Sequence, residues 1–421
     1  GAAAALVDQA QVMVDLPQLV VTDTRVGTAH AASLLFGDPA AGLSLIGVTG
    51  TNGKTTTCLI ARHILADVAP SAAIGTLGWL DSAGQRHAGR LTTPDPLDLM
   101  ATLRDLQADG CRFVAMEVSS HALDQRRVAG LSFDAAVFTN LTHEHLDYHP
   151  DLASYRAAKL LLAEQVRPDG LCAVNADDPA WSDDFAGRPV VSYGLGASAD
   201  VRAADVRHSA SGSEWLLEIA GDSWPVHLPL LGGFNVHNAL GAVAAACGVG
   251  VEPALAAERL SSAPQVPGRM EILARRPTLV LRDYMHTPDA YARVLDTLSG
   301  LTAGRLYIVF GCGGDRDRGK RPLMGQIAAR HTDLAIITTD NPRSEAPADI
   351  CADITEGMPP GSYRVILDRE EAIDFTLGLA GPGDVVVLAG KGHETYQDIR
   401  GERVPFDEAA IVRALTAGDP S

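Results

Sequence analysis

The stretch Gly47-Val48-Thr49-Gly50-Thr51-Asn52-Gly53-Lys54-Thr55-Thr56 follows an apolar run and opens a helical pattern. Its glycines let the backbone turn N–H groups toward a phosphate, and the helix behind them presents its positive end. Lys54 suits the charge of the β- and γ-phosphates, and the Thr55 hydroxyl suits Mg²⁺. The strict G-x-x-x-x-G-K-[ST] spacing is missed, because position 48 is valine. A glycine-rich turn with an exposed lysine is the plain alternative. The strand-to-helix context favours a nucleotide, with Gly50, Thr51, Asn52, Gly53, Lys54, Thr55 and Thr56 as the phosphate-binding set.

Other residue groups are chemically suggestive but weaker. Met116-Glu117-Val118-Ser119-Ser120-His121 ends a strand with a carboxylate that can hold Mg²⁺ directly or through water. A lone glutamate there is more often a surface charge. Residues 138–149 gather Asn140, His143, Glu144, His145, Asp147 and His149 in one loop. Lys159 lies on a helix, where a lysine is usually a solvated surface residue. Asn235 could cap a helix. Arg269 sits at a junction, where an arginine can sense closure because it binds only when domains meet.

These residues need elements to carry them. Residues 43–49, 113–118, 135–139 and 171–175 read as short buried strands. Helices are expected over 55–66, 152–165 and 235–248. Such alternation predicts an α/β fold with a mostly parallel sheet covered on both faces. After Pro264 and Pro267 a second α/β series begins, with strands at 278–282, 305–310, 334–338 and 384–388. Its helices are expected near 288–298, 321–330, 348–356 and 370–378. This reads as a smaller Rossmann-like domain whose ligand meets the loops at the carboxyl ends of the strands, 283–289, 311–321, 339–345 and 389–394. Residues 1–41 offer two strands, at 2–8 and 18–23, and a helix near 28–36. The expected division is 1–41, a partial N-terminal α/β domain; 42–265, a central P-loop-type domain; and 266–421, the C-terminal domain.

Composition sets outer limits. The formal net charge of -18 argues against a nucleic-acid partner. It leaves room for anionic small molecules, which need only a local nest of amides and cations. Six scattered cysteines without C-x-x-C spacing read as reduced thiols of a cytoplasmic protein. No apolar run reaches the length of a membrane span, so neither a membrane nor a nucleic acid is expected as a partner.

The string Thr-Gly-Thr-Asn-Gly-Lys-Thr-Thr, with its variant spacing, resembles the Mur ligase and folylpolyglutamate synthetase superfamily. Thr139-Asn140-Leu141-Thr142-His143-Glu144-His145-Leu146-Asp147-Tyr148-His149 sharpens the resemblance to the MurE type of Mur ligase, departing at Glu144, where the family has Asp. The resemblance spans nearly all of 43–410. It implies that Glu117 and His145 help bind magnesium, with Asn140 beside them, and that Lys159 is carbamylated by CO₂ so that its new carboxylate orients Mg²⁺. Thr92, Thr93, Ser119, Gln125 and Arg127 look like the residues that hold a UDP-muramoyl-dipeptide; hydroxyls, an amide and a guanidinium suit carboxylate and peptide groups. Asn235 and Asn238 resemble the adenine-side motif. Arg269 corresponds to the arginine that reaches the γ-phosphate. Asp283-Tyr284-Met285-His286-Thr287-Pro288 resembles the segment against the ribose and base, with Met285 replacing alanine, so that Asp283, Tyr284 and His286 join the ATP set.

The incoming amine has its own matches. Gly311 to Pro322 follows the family pattern and supplies Arg316. Asp340-Asn341-Pro342-Arg343, read plainly, is only a turn. In the family it separates diaminopimelate users from lysine users. The second carboxylate of diaminopimelate pairs with a guanidinium that lysine would leave unpaired. Gly390 and Glu394, in Gly390-Lys391-Gly392-His393-Glu394, complete the set, Glu394 suiting the distal ammonium. The implied reaction is ATP-dependent amide formation through an acyl-phosphate, in peptidoglycan precursor synthesis, by a cytoplasmic monomer. A ligase using lysine, ornithine or another acceptor, and a non-catalytic ATP-binding protein, are the rivals. The resemblance also implies that residue 1 falls partway through a uridine-nucleotide domain, with the uracil-holding portion missing.

Overall fold

A computed structural model describes residues 2–13, 15–142, 144, 148–181 and 185–417. His145, one of the expected metal ligands, lies outside the described residues. The chain divides into two compact units, the first built mainly from residues 1–264 and the second mainly from 265–421.

The first unit is organised on a mixed sheet of eleven strands among the described residues. Its centre is parallel, in the order Val166–Asn175, Phe133–Phe138, Ser44–Thr49, Phe113–Glu117, Ser71–Gly75. These central strands read as continuous apolar runs because both faces are buried: Leu45, Ile46, Val48, Val114, Ala115, Ala136 and Val137 are all inaccessible. Helix Lys54–Leu65 follows the middle strand directly. Helix Leu152–Glu164 buries Tyr155, Ala158, Lys159, Leu162 and Ala163, a stripe at helical spacing. Helix Gly233–Gly248 is apolar almost all round and buried accordingly.

One flank of that sheet was not anticipated. Strands Val201–Ser209, Gly212–Ile219 and Asp222–Leu228 extend it, the last two as an antiparallel pair. Gly212–Ile219 alternates between buried and exposed side chains and the other two are exposed over about half their length, so no continuous apolar run announces them.

The second unit holds a six-stranded sheet. Strands Leu279–Asp283, Val385–Ala389, Leu306–Phe310, Leu334–Ile337 and Tyr363–Val365 run parallel in that order, with Glu271–Ala274 antiparallel at one edge. Helices Pro288–Leu301, Lys320–His331, Pro347–Thr355 and Arg369–Leu379 alternate with the strands, as the sequence pattern requires. A hairpin, Tyr396–Ile399 with Glu402–Pro405, and helix Glu408–Thr416 complete the unit. All four loops expected to carry chemistry leave the carboxyl ends of neighbouring parallel strands.

Candidate active site

The phosphate loop of the first unit is held in shape by the chain itself. Asn140 accepts the Thr51 amide at its carbonyl (2.7 Å) and the Asn52 amide at its side-chain oxygen (2.9 Å). Thr139 Oγ1 donates to the Asn52 carbonyl at 2.7 Å. Gly53 caps the following helix with φ +87°, and a Cβ there would collide with Asn238 Oδ1. Gly50, at φ +143°, has no room for a Cβ against Thr139. Both glycines are therefore required by backbone conformation and by space. Asn235 is a buried helical residue, not a cap; its Oδ1 accepts from Asn238 Nδ2 at 2.9 Å.

Two lysines converge on this loop. Lys54 Nζ donates to the carbonyls of Gly50 (2.9 Å) and Thr51 (2.8 Å). Lys159 Nζ donates to the same Gly50 carbonyl at 2.7 Å and lies 4.3 Å from the centre of the Tyr155 ring. Lys159 is only 1% exposed, so the plain reading of a solvated helical lysine fails. Burial, reinforced by Lys54, holds its pKa well below the ordinary lysine value, while Glu144 pulls the other way. Tyr155 also meets the loop through its hydroxyl, 3.3 Å from Thr51 Oγ1.

Glu117 is likewise 1% exposed, not a surface charge. Thr76 fixes it, its amide donating to Oε1 (2.8 Å) and its hydroxyl to Oε2 (3.2 Å). Among the described residues this buried carboxylate has no ion pair, and no three His, Cys, Asp or Glu side chains form a metal nest. A hard cation completed by substrate oxygens fits such a donor set, with the buried Thr55 hydroxyl as a further oxygen donor.

The residues expected for the acceptor are brought together. Thr93 Oγ1 donates to the Glu117 carbonyl (2.9 Å) and accepts the Ser119 amide (3.0 Å). Arg127 donates to Gln125 Oε1 (2.6 Å) and to the Thr93 carbonyl (3.1 Å). The Thr92 hydroxyl lies 3.1 Å from that of Thr76. Ser119 also caps a short helix through the Ala122 amide, so part of its job is structural.

In the second unit Arg269 stacks over Tyr284, guanidinium carbon to ring centre 4.8 Å, and the Tyr284 and His286 rings are 5.0 Å apart. Asp283 serves the chain first: its carboxylate accepts the amides of Met270 (2.7 Å) and Met285 (2.8 Å). Desolvation raises its pKa against the pull of Arg269. Met285 points its bulk into the protein, at 3% exposure.

The amine-side residues form a second cluster. Asn341 Nδ2 donates to Glu394 Oε2 at 2.8 Å. The fully buried Lys391 donates to Asn341 Oδ1 at 3.1 Å and lies 3.5 Å from both Asp340 Oδ1 and Glu394 Oε2. Gly390, at φ +104°, packs against Asp340. Arg343 Nη1 donates to the Gly314 carbonyl at 2.5 Å, and Pro342 is buried beside it. A Cβ on Gly313 would meet Arg343 Nη1 at 3.0 Å and Arg316 Cγ at 3.6 Å, so both arginines flank one glycine. An open cavity of about 610 Å³ borders the same loop, lined in part by Thr339, Arg343, Ser344, Gln397 and Arg400. Lys391 was missed as a functional candidate although its motif was noticed. Thr76 and Tyr155 left no local signal beyond Tyr155's place on the buried stripe.

A phosphate loop on a parallel sheet, with a half-buried and a buried lysine and a buried carboxylate beside it, defines a nucleotide-dependent α/β enzyme. The Mur ligase middle domain matches residues 48–246, and the Mur ligase glutamate ligase domain matches 268–392. The UDP-N-acetylmuramoyl-L-alanyl-D-glutamate–2,6-diaminopimelate ligase of Geobacillus kaustophilus is 42% identical over 424 residues, covering 98% of this chain and 86% of that protein. That of Geobacter sulfurreducens is also 42% identical, covering 96% and 85%. A solved structure of a diaminopimelate ligase of the same name is similar with a TM-score of 0.70 and 36% identity, over 97% of this chain and 85% of that one. Folylpolyglutamate synthase of Mycobacterium tuberculosis shares the fold at TM-score 0.74 and 16% identity, over 94% of this chain and 96% of that one. The chain belongs to the Mur ligase family. It is an ATP-dependent ligase of the family that uses ATP and Mg²⁺. Among the described residues no helix is long and apolar enough to cross a membrane.

Proposed function

We propose that this enzyme joins meso-diaminopimelate to UDP-N-acetylmuramoyl-L-alanyl-D-glutamate at the expense of ATP, in peptidoglycan precursor synthesis. The observation that carries the choice of amine is the placement of Arg316 and Arg343 about Gly313, in the unit that also holds the Asn341–Glu394 pair. Two guanidinium groups suit two carboxylates, and Glu394 suits an ammonium. A diamino acid with one carboxylate would leave a cation unpaired.

The γ-carboxylate of the acceptor attacks the γ-phosphorus of ATP, giving an acyl-phosphate and ADP. The amine then attacks the acyl carbon, phosphate leaves, and a proton is lost from nitrogen. Lys54 exchanges its carbonyl partners for phosphate oxygens, and the amides of 50–56 line the polyphosphate. Asn140 keeps that loop preformed. Thr92, Thr93, Ser119, Gln125 and Arg127 orient the acceptor, while Asn235, Asn238, Arg269, Asp283, Tyr284 and His286 serve the nucleotide. Bound Mg²⁺ supplies charge neutralisation of the phosphate oxygens; Thr55, Glu117, His145 and a carbamate on Lys159 would hold it. The depressed basicity of Lys159 supports the carbamate, because only the neutral amine attacks CO₂. No nucleophilic side chain is needed; positioning and exclusion of water do the work.

In this reading residues 1–41 belong to a uridine-nucleotide domain, 42–265 to the ATP domain and 266–421 to the amine domain, in a cytoplasmic monomer. The test of the reaction path uses acceptor carrying ¹⁸O in its terminal carboxylate. One labelled oxygen in the released phosphate, with diaminopimelate in the product, is the expected result. Unlabelled phosphate would contradict the acyl-phosphate route.

A further inference from the structure

Arg316 and Arg343 stand on two irregular loops, after strands Leu306–Phe310 and Leu334–Ile337. The Arg343 backbone is bridged to the hairpin, its amide donating to the Asp398 carbonyl and its carbonyl accepting the Arg400 amide, both at 2.9 Å. What ties the two loops to each other is one buried cation. Arg321, 0% exposed, is the second residue of helix Lys320–His331. It grips Glu345 in a fork, Nη2 to Oε1 at 2.8 Å and Nη1 to Oε2 at 2.9 Å. It also donates to Asp353 Oδ2 at 2.7 Å and to the Gly313 carbonyl at 3.1 Å.

Glu345 passes the restraint across. Its Oε1 accepts the Asp315 amide at 2.7 Å. Asp315 returns it by accepting the Ser344 hydroxyl at 2.5 Å and the Ser344 amide at 3.2 Å. The Gly314 amide donates to the Asn341 carbonyl at 2.9 Å. Asp315 and Arg343 are both non-glycine residues at positive φ, +53° and +50°. Such conformations persist only where surroundings over-determine them. The Arg321 guanidinium, then the Asp315 amide, hold the Glu345 carboxyl at about 2, so this fork stays charged at neutral pH.

We infer that the Arg321–Glu345 pair is a specificity-positioning device, setting Arg316 against Arg343 so that a diamino dicarboxylate is selected over a diamino monocarboxylate. This rests on the amine assignment proposed above. Arg321 is sealed from any ligand, so it acts through the loops alone. Forked carboxylate recognition tolerates displacements of only about 0.5 Å. A loosened loop therefore weakens the two-carboxylate amine most, while an amine with one carboxylate has less to lose.

The experiment compares wild type with Glu345→Gln and Arg321→Met, measuring kcat and KM for meso-diaminopimelate and for L-lysine at saturating ATP and acceptor. Thermal melting checks that each variant is folded, and Glu345→Gln, which keeps the shape, carries the test where Arg321→Met does not fold. The expected result is a KM for diaminopimelate raised by about tenfold or more, kcat within about threefold, and an unchanged KM for ATP. The diaminopimelate-to-lysine ratio of kcat/KM should fall by about tenfold. Unaltered kinetics, or equal losses for both amines, would overturn the inference. A wild-type enzyme without preference for diaminopimelate would overturn the amine assignment and the inference with it.

Discussion

Lys54 and Lys159 donate to one carbonyl oxygen, that of Gly50, and each raises the cost of charge on the other. Arrival of a polyphosphate gives Lys54 a better partner than a neutral carbonyl, since charge-assisted hydrogen bonds are about twice as strong. Replacement of Lys54 by Met should lower ATP-dependent phosphate release by roughly 10²–10³-fold, the effect of removing one preorganised donor from developing charge. Wild-type rates in that variant would remove Lys54 from the mechanism. Much of this chemistry was legible, because the phosphate loop is contiguous and its glycines are demanded by backbone geometry. The plain reading of Lys159 failed because solvation of lysine is a rule about isolated side chains. Its position could have warned otherwise: Tyr155, Lys159 and Leu162 fall on one helical stripe. Thr76, which orients Glu117 from another strand's end, could not be seen from sequence, since nothing local joins the two.

The parallel strands expected at 43–49, 113–118, 135–139, 171–175, 278–282, 305–310, 334–338 and 384–388 are present within a few residues, because strands buried on both faces leave continuous apolar runs. The small-residue strand Ser71–Gly75, the part-exposed strands Val190–Gly194 and Tyr363–Val365, those beyond Val201 and the hairpin after Tyr396 escaped that criterion. Equally invisible was the tie at the carboxyl ends of the second sheet. Arg369, opening helix Arg369–Leu379, donates to Glu408 Oε1 (2.8 Å) and the Ala389 carbonyl (2.8 Å), and more weakly to the Thr339 carbonyl (3.3 Å). Both members of the ion pair are fully buried. The pair joins two helices to the strand ends from which Asp340 and Gly390 emerge. Arg369→Ala leaves the Glu408 carboxylate buried without its partner and should cost about 3–5 kcal/mol, read by urea unfolding. A loss under about 1 kcal/mol would mean that water reaches Glu408 in the folded protein.

The whole molecule carries a formal charge of -18 yet is built to take anionic substrates. Cations are placed locally: Lys54 and Lys159 at one sheet, Arg316, Arg343 and Lys391 at the other. Net charge excluded nucleic acid as an expectation, but it could not find these nests, which exist only once strand ends are gathered. The family was legible from ordered motifs, and the 42% identity with diaminopimelate ligases agrees with it. The most direct measurement is phosphate release from ATP in the presence of UDP-N-acetylmuramoyl-L-alanyl-D-glutamate, with meso-diaminopimelate or L-lysine as amine. Turnover that depends on diaminopimelate and exceeds that with lysine by about 10²-fold is predicted, as expected when a guanidinium placed for a carboxylate is left without one. Equal turnover with lysine, or none with diaminopimelate in a protein that binds ATP, would contradict it.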